Sequence, residues 1–157
     1  MTVALWALGR TKDAGVAARI RELAKRTARL GRFEYAELDG PRVSGKAEPA
    51  QVKRAEADYL LGRLGGNDRL QLLDERGKRF DSRAFAAWLD GLQLGGGSRL
   101  VFLVGGAYGF GDSLYARAEA SVSLSDMTFS HQLARLMAVE QLYRAHAILR
   151  GHPYHND

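Results

Sequence analysis

The sequence predicts an α/β domain built on a parallel-rich sheet, and three observations carry that expectation. Short apolar or alternating segments take turns with segments of helical period along the whole chain. The run Leu100–Val104 is apolar at every position and stops at Gly105-Gly106, as a strand covered on both faces does where it enters a tight loop. At 157 residues, with 46% hydrophobic and 26% charged side chains, the chain has the size and composition of one folded unit, so 1–157 is expected to be a single domain.

Each element follows from local pattern. TVALWAL, Thr2–Leu8, is a short apolar strand, and Val16, Ile20, Leu23, Ala24 and Ala28 then recur at helical spacing up to a stop at Gly31. Phe33–Leu38 alternates as a strand with one polar face. Asp39–Pro49, with two prolines and two glycines, is a loop expected to be mobile, and Lys53–Leu64 returns to helical composition. Arg69–Leu73 reads as a third strand, followed by a turn at Asp74–Gly77. A helix capped by Ser82 carries Phe85, Trp88, Leu89 and Leu92 and ends before Gly95–Gly97. After Leu100–Val104 come a glycine loop, a short helix Leu114–Glu119 capped by Asp112 or Ser113, a strand Ser121–Ser125, a long helix His131–Arg150 and a tail, Gly151–Asp157.

Charge is unevenly placed. The formal net charge is +5, yet residues 1–54 hold twelve Lys or Arg against six Asp or Glu, and the remainder is close to balanced. A basic first third, about 1–66, points to a polyanion, most simply nucleic acid, with a solvated helix face as the plain alternative. There is no cysteine, which removes disulfides, thiolate metal sites and a cysteine nucleophile and fits a cytoplasmic protein. The apolar start is not preceded by a basic segment, so it reads as a strand and not as a signal peptide, and no apolar run is long enough to span a bilayer.

The chemistry concentrates between Leu100 and Leu136. Two strand-ending loops, one after Val104 and one at Ser125–Ser130, lie about twenty residues apart. Loops at the carboxyl ends of neighbouring strands form the walls of ligand sites in open α/β sheets. GGAYGFG is neither the G-x-G-x-x-G dinucleotide fingerprint nor a phosphate-binding P-loop, and no G-x-S-x-G nucleophile elbow exists. His152 and His155 sit in the tail without neighbouring ligand types, so no metal is expected. Glu140 and Arg144, four apart, read as an ion pair. The last helix is apolar nearly all round, with Leu133, Leu136, Met137, Val139, Leu142, Tyr143, Ile148 and Leu149. Such a helix needs covering on two sides, which predicts a homodimer.

The segments LLDERG, LVGGAYGF, SLSDMTFSHQLARL, EQLYRA and the ending HPYH, in this order and spacing, resemble the RlmH family of SPOUT-superfamily methyltransferases. The resemblance runs from about Leu70 to His155, while the first third agrees in length, element order and basic character. It implies a C-terminal trefoil knot (the SPOUT, or α/β-knot, fold), with the knot and donor-binding region at about 67–157. The implied activity is S-adenosylmethionine-dependent methylation of nitrogen-3 of a pseudouridine in 23S ribosomal RNA. The implied partners are that RNA or the assembled ribosome and a second copy of the chain, with no membrane and no metal.

Carried over by motif, Leu73, Gly105 and Gly106 form one side of the S-adenosylmethionine site, and Leu124, Ser125, Asp126, Met127, Thr128, Phe129 and Ser130 form the other. The implied catalytic candidates are Arg144, His152, Tyr154 and His155. A histidine would accept the imide proton, Arg144 would stabilise the developing anion or hold a phosphate, and Tyr154 would stack on an unpaired base. Where many members of the family carry an acidic residue in the glycine loop, this chain has Tyr108. Two other readings stay open at this point: a non-catalytic RNA-binding, ribosome-associated factor, and a SPOUT methyltransferase for another RNA such as tRNA.

Overall fold

A computed structural model describes residues 1–156. Ten elements alternate along the chain: β1 (Thr2–Leu8), α1 (Ala14–Leu30), β2 (Phe33–Leu38), α2 (Pro49–Leu61), β3 (Asp68–Arg79), α3 (Ser82–Leu94), β4 (Arg99–Val104), α4 (Asp112–Arg117), β5 (Ala120–Ser123) and α5 (His131–Leu149). The five strands form one sheet in the order β2-β1-β4-β3-β5, and every adjacent pair is parallel. Parallel neighbours require a crossover, and the helices supply it on both faces.

Side-chain alternation assigns the two faces. Val3, Leu5 and Ala7 of β1 and Leu100, Phe102 and Val104 of β4 pack under α1, α3 and α5; Ala4, Trp6, Val101 and Leu103 face α2 and α4. All five residues of Leu100–Val104 are buried, as the unbroken apolar run requires. β2 stands at the edge of the sheet, and there Glu34 and Glu37 are exposed.

Several boundaries differ from the expectation, each for a local reason. α2 begins at Pro49, whose fixed φ suits a first helical turn, and Glu48 and Gln51 complete a reciprocal capping box; it stops at Leu61, ahead of Gly62. Asp81, not Ser82, caps α3 by accepting from the Ala84 amide at 2.7 Å. α4 takes Asp112 as its first residue, with Gly111 at the cap position. β5 ends two residues earlier than expected, which leaves Leu124 and Ser125 in the loop.

The largest difference is at Asp74–Gly77. The chain does not turn back there; β3 continues to Arg79. Val122 of β5 is paired with both Leu73 and Lys78, so Asp74–Gly77 arch out of the ladder between two paired ends of the same strand. Turn-forming residue types have produced an arch. Gly77 closes it: a Cβ there would lie 2.5 Å from the Ser121 carbonyl carbon and the Val122 nitrogen.

α5 lies on α1 and α3. Val139, Leu142 and Tyr143 are buried, whereas Leu133 and Met137 remain 47% and 38% exposed. Inside the helix, Arg135 is only 1% exposed. Its guanidinium donates to the carbonyls of Leu8 and Gly9, the latter at 2.8 Å, and contacts Thr11 Oγ1 and Glu37. Both terminal nitrogens of this buried cation are thus engaged by the end of β1 and by the edge strand, while Nε has no partner.

Candidate methyl-donor cavity and tail cluster

At the carboxyl ends of β3, β4 and β5 lies a cavity of about 660 Å³, within the range of sites for cofactor-sized molecules. Three segments wall it. Leu73–Arg76 come from the β3 arch, Val104–Phe110 from the glycine loop, and Leu124, Ser125 and Met127–Ser130 from the loop after β5; Tyr115, His131 and Ala134 complete the lining.

The glycine loop is held from below. Phe110 is buried and lies against Gly105, where a Cβ would be 3.2 Å from the ring. A Cβ on Gly106 would fall 2.8 Å from Glu56 Oε1. Burial pushes the Glu56 carboxyl above its ordinary value, and Oε1 has no hydrogen-bond partner. Between these anchors Gly109 donates to the Gly106 carbonyl at 3.2 Å, a tight turn that presents Tyr108, 53% exposed, at the cavity rim. Met127, 74% exposed, stands on the facing loop.

The β3 arch grips that loop at two points. Thr128 Oγ1 donates to Glu75 Oε2 at 2.5 Å, and Arg79 pairs with Asp126 at 2.6 Å. On the other side of the arch, Tyr115 donates to Asp74, and Arg76 reaches the Tyr115 hydroxyl at 2.8 Å. Burial raises the Asp74 carboxyl, but the Tyr115 hydroxyl, the Arg76 amide and the Arg76 guanidinium outweigh it and hold the group below its ordinary range. Asp74 is therefore an ionised wall residue at neutral pH. Ser130 begins α5 by accepting from the Leu133 amide at 3.3 Å. Burial, with the charges of Arg135 and Lys12, keeps the His131 imidazole below its ordinary value, and its Nδ1 has no partner.

Of the residues expected at the donor site, Leu73, Gly105, Gly106, Leu124, Ser125, Met127, Thr128, Phe129 and Ser130 all line this one cavity. Asp126 does not; its side chain turns outward to Arg79 and is 68% exposed. Sequence reasoning missed Asp74, Glu75, Arg76, Tyr115 and His131. The signal was present in LLDERG and in the histidine directly after Ser130, but the first was read as a turn and the second as the start of a helix.

The tail residues gather elsewhere. Arg144 pairs with Glu140 at 2.5 Å, meets His155 Nδ1 at 2.9 Å and lies 4.8 Å over the Tyr154 ring. Tyr154 donates to Glu140 at 3.2 Å and packs edge-on against Tyr143. Burial and the Glu140 carboxylate raise the Tyr154 phenol, so it is protonated at neutral pH and acts as a donor. His152 is exposed and joins the helix end through its backbone amide, bonded to the Ala147 carbonyl at 2.8 Å. None of the four tail candidates lines the cavity. α5 carries His131 at the cavity and Arg144 thirteen residues on, about 20 Å along the helix axis. Among the described residues no group of three or more potential metal-ligating side chains is found, and no helix is long and apolar enough to cross a membrane.

Fold and cavity together define an α/β protein with a ligand site formed by three loops at one edge of a parallel sheet. The family model described as "Predicted SPOUT methyltransferase" matches residues 1–155, and the chain belongs to that family. It is 40% identical over 156 residues to the "Ribosomal RNA large subunit methyltransferase H" of Cytophaga hutchinsonii, covering 99% of this chain and 100% of that one. Proteins of the same name from Geotalea daltonii and an Anaeromyxobacter species are 43% and 42% identical, the first over 97% of both chains and the second over 99%.

Proposed function

We propose that this chain is an S-adenosylmethionine-dependent methyltransferase that modifies nitrogen-3 of a pseudouridine in the 23S ribosomal RNA of the large subunit, with 1–157 forming its single domain. The observation that carries the reading is the convergence of Leu73, Gly105, Gly106 and Leu124–Ser130, apart from Asp126, on one cavity of suitable size. Residues 37–43% identical in relatives named for ribosomal RNA methylation support the choice of substrate.

The cavity fits the proposed donor on its own terms. Gly105 and Gly106 are required by packing, since a Cβ at either would strike Phe110 or Glu56 beneath the loop, and their backbone lines the cavity. Leu73, Leu124 and Phe129 offer apolar surface to an adenine ring, and Asp74 and Glu75 set negative charge in the wall, suited to a sulfonium cation. The donor supplies an activated methyl group. The chain's own task is to align the acceptor nitrogen, strip water from it and take its proton.

The acceptor-side groups are those of the tail cluster: Arg144 to hold the imide anion or a phosphate, Tyr154 to donate or stack, and His152 or His155 to receive the proton. Because about 20 Å of α5 separates this cluster from the cavity of its own chain, we place it against the cavity of a second copy. The exposed apolar residues Leu133 and Met137 on α5, with Tyr108 and Met127 at the cavity rim, supply surface for that homodimer. The knotted path of the SPOUT fold is part of the same proposal, as is a cytoplasmic location with the ribosome.

Mass spectrometry of 23S RNA from a strain lacking the gene tests the function directly. The expected result is loss of one methyl group from one pseudouridine, restored by the purified chain with S-adenosylmethionine. An unchanged 23S RNA, or loss of a methyl from tRNA instead, overturns the substrate.

A further inference from the structure

Helix α1 carries basic residues of two kinds. Arg19 and Arg26 both bind Glu22, at 2.8 and 2.5 Å, and Glu22 is the helix's only carboxylate. Arg21, Lys25 and Arg29, with Arg32 just beyond the helix end, are exposed, and among the described residues they form no ion pair or side-chain hydrogen bond. Steps of four residues keep the first three on one face, with charges about 6 Å apart along the axis. Like charges at that spacing repel and weaken a helix, and no acidic side chain is left on α1 to offset them.

Helix α1 runs beside the helix that bears the tail cluster. α1 packs on α5 and runs parallel to it, since Gly31 at the end of α1 meets His146 near the end of α5 and Lys12 at the other end meets Gln132. Arg19, on the flank of α1 and paired with Glu22, is close enough to favour the ionised form of the Tyr154 phenol. The opposite face of α1 is committed to the core through Ile20, Leu23 and Thr27. The helix therefore has no apolar face free to enter a lipid surface, as a membrane-binding basic helix would need.

We propose that Arg21, Lys25, Arg29 and Arg32 form a docking ridge for the phosphate backbone of the RNA substrate, on the helix that flanks the Arg144–Tyr154–His155 cluster. This rests on the reading of the chain as a ribosomal RNA methyltransferase and adds where the RNA lies on it. Contacts to phosphates supply affinity and orientation and carry no base preference.

The test uses the full chain with Arg21→Gln, Lys25→Gln and Arg29→Gln combined, beside a charge-conserving Arg21→Lys, Arg29→Lys variant. Binding to large ribosomal subunits is followed across a salt series, together with methylation of their RNA. Three lost phosphate contacts lower the slope of log affinity against log salt by about 2 to 3. The neutral variant should show that drop and a KM at least tenfold higher. Its kcat, donor affinity and melting temperature should match the parent, and the lysine variant should behave as the parent does. A parental slope and KM in the neutral variant overturn the ridge. So does an equal loss in the lysine variant, or a loss confined to anionic phospholipid vesicles. If the parent binds subunits and the neutral variant loses the slope, yet neither methylates 23S RNA, the ridge stands and the enzymatic reading falls.

Discussion

The Thr128 hydroxyl donates to the Glu75 carboxylate across the mouth of the cavity, so the β3 arch and the loop after β5 move as one wall. Thr128→Val removes the donor and keeps the shape. An exposed hydrogen bond of this kind contributes about 0.5–1.5 kcal/mol. Calorimetry should then show S-adenosylmethionine binding weakened roughly threefold to tenfold. Parental affinity in Thr128→Val would mean that the wall is ordered without this bond.

Gly77 holds the arch against β5. A methyl group there meets the Ser121 and Val122 backbone at 2.5 Å, and backbone cannot rotate away as a side-chain tip can. Gly77→Ala should cost about 1–3 kcal/mol, the range for overpacking, seen as an earlier urea midpoint at unchanged slope. Gly66→Ala, at a position with open space, is the matched control.

Arg135 should tolerate no replacement. Its truncation strands the carbonyls of Leu8 and Gly9, and an acceptor left without its donor costs about 1–3 kcal/mol. Arg135→Lys keeps the charge but loses the planar fork, so it should recover only part of the denaturation midpoint.

Acid should weaken the fold in two stages. Burial, aided by the Arg150 charge and opposed by the Leu142 carbonyl, keeps the folded His146 imidazole below its ordinary value, and His131 is shifted the same way. The unfolded chain takes up these protons near pH 6.5 (about the free histidine value) while the folded chain does not, so stability falls as pH drops below that point. Asp68 follows at lower pH. Burial raises it, but Arg99, the Gly65 amide and the Arg117 charge hold it below its ordinary range, so its contribution is present above the unfolded carboxylate value and is lost on approach to the folded one. Denaturant midpoints measured from pH 8 to 3 should show both declines, and His146→Leu should flatten the first.

Ending the chain after Gly151 removes Tyr154 and His155. Donor binding should persist and methylation should vanish. If the tail serves the partner's cavity, a mixed dimer of the truncated chain with full-length Gly106→Val should regain one working site. Absence of any recovery would return the tail to its own chain.

Much of this was legible in one dimension. LVFLV could only be a strand covered on both faces, and the two loops that follow β4 and β5 were recognisable from their residues as facing walls. The β3 arch was not legible. Asp-Glu-Arg-Gly satisfies the local chemistry of a turn, and only the pairing of both Leu73 and Lys78 with Val122 converts it into a bulge that brings Asp74, Glu75 and Arg76 to the cavity. Asp126 was placed in the wall because its neighbours are there, yet Arg79, far away in sequence, draws it outward.

By itself the sequence determined the alternation of elements, the parallel sheet, the basic first third and the residues near the cavity, because periodicity and turn chemistry act between residues a few positions apart. The tertiary structure alone decided which charges are spent and which are free, since an ion pair depends on what the fold brings within a few ångströms. Arg135 is buried and engaged while Arg21, Lys25 and Arg29 face solvent, although all four are the same kind of residue to a reader of the chain.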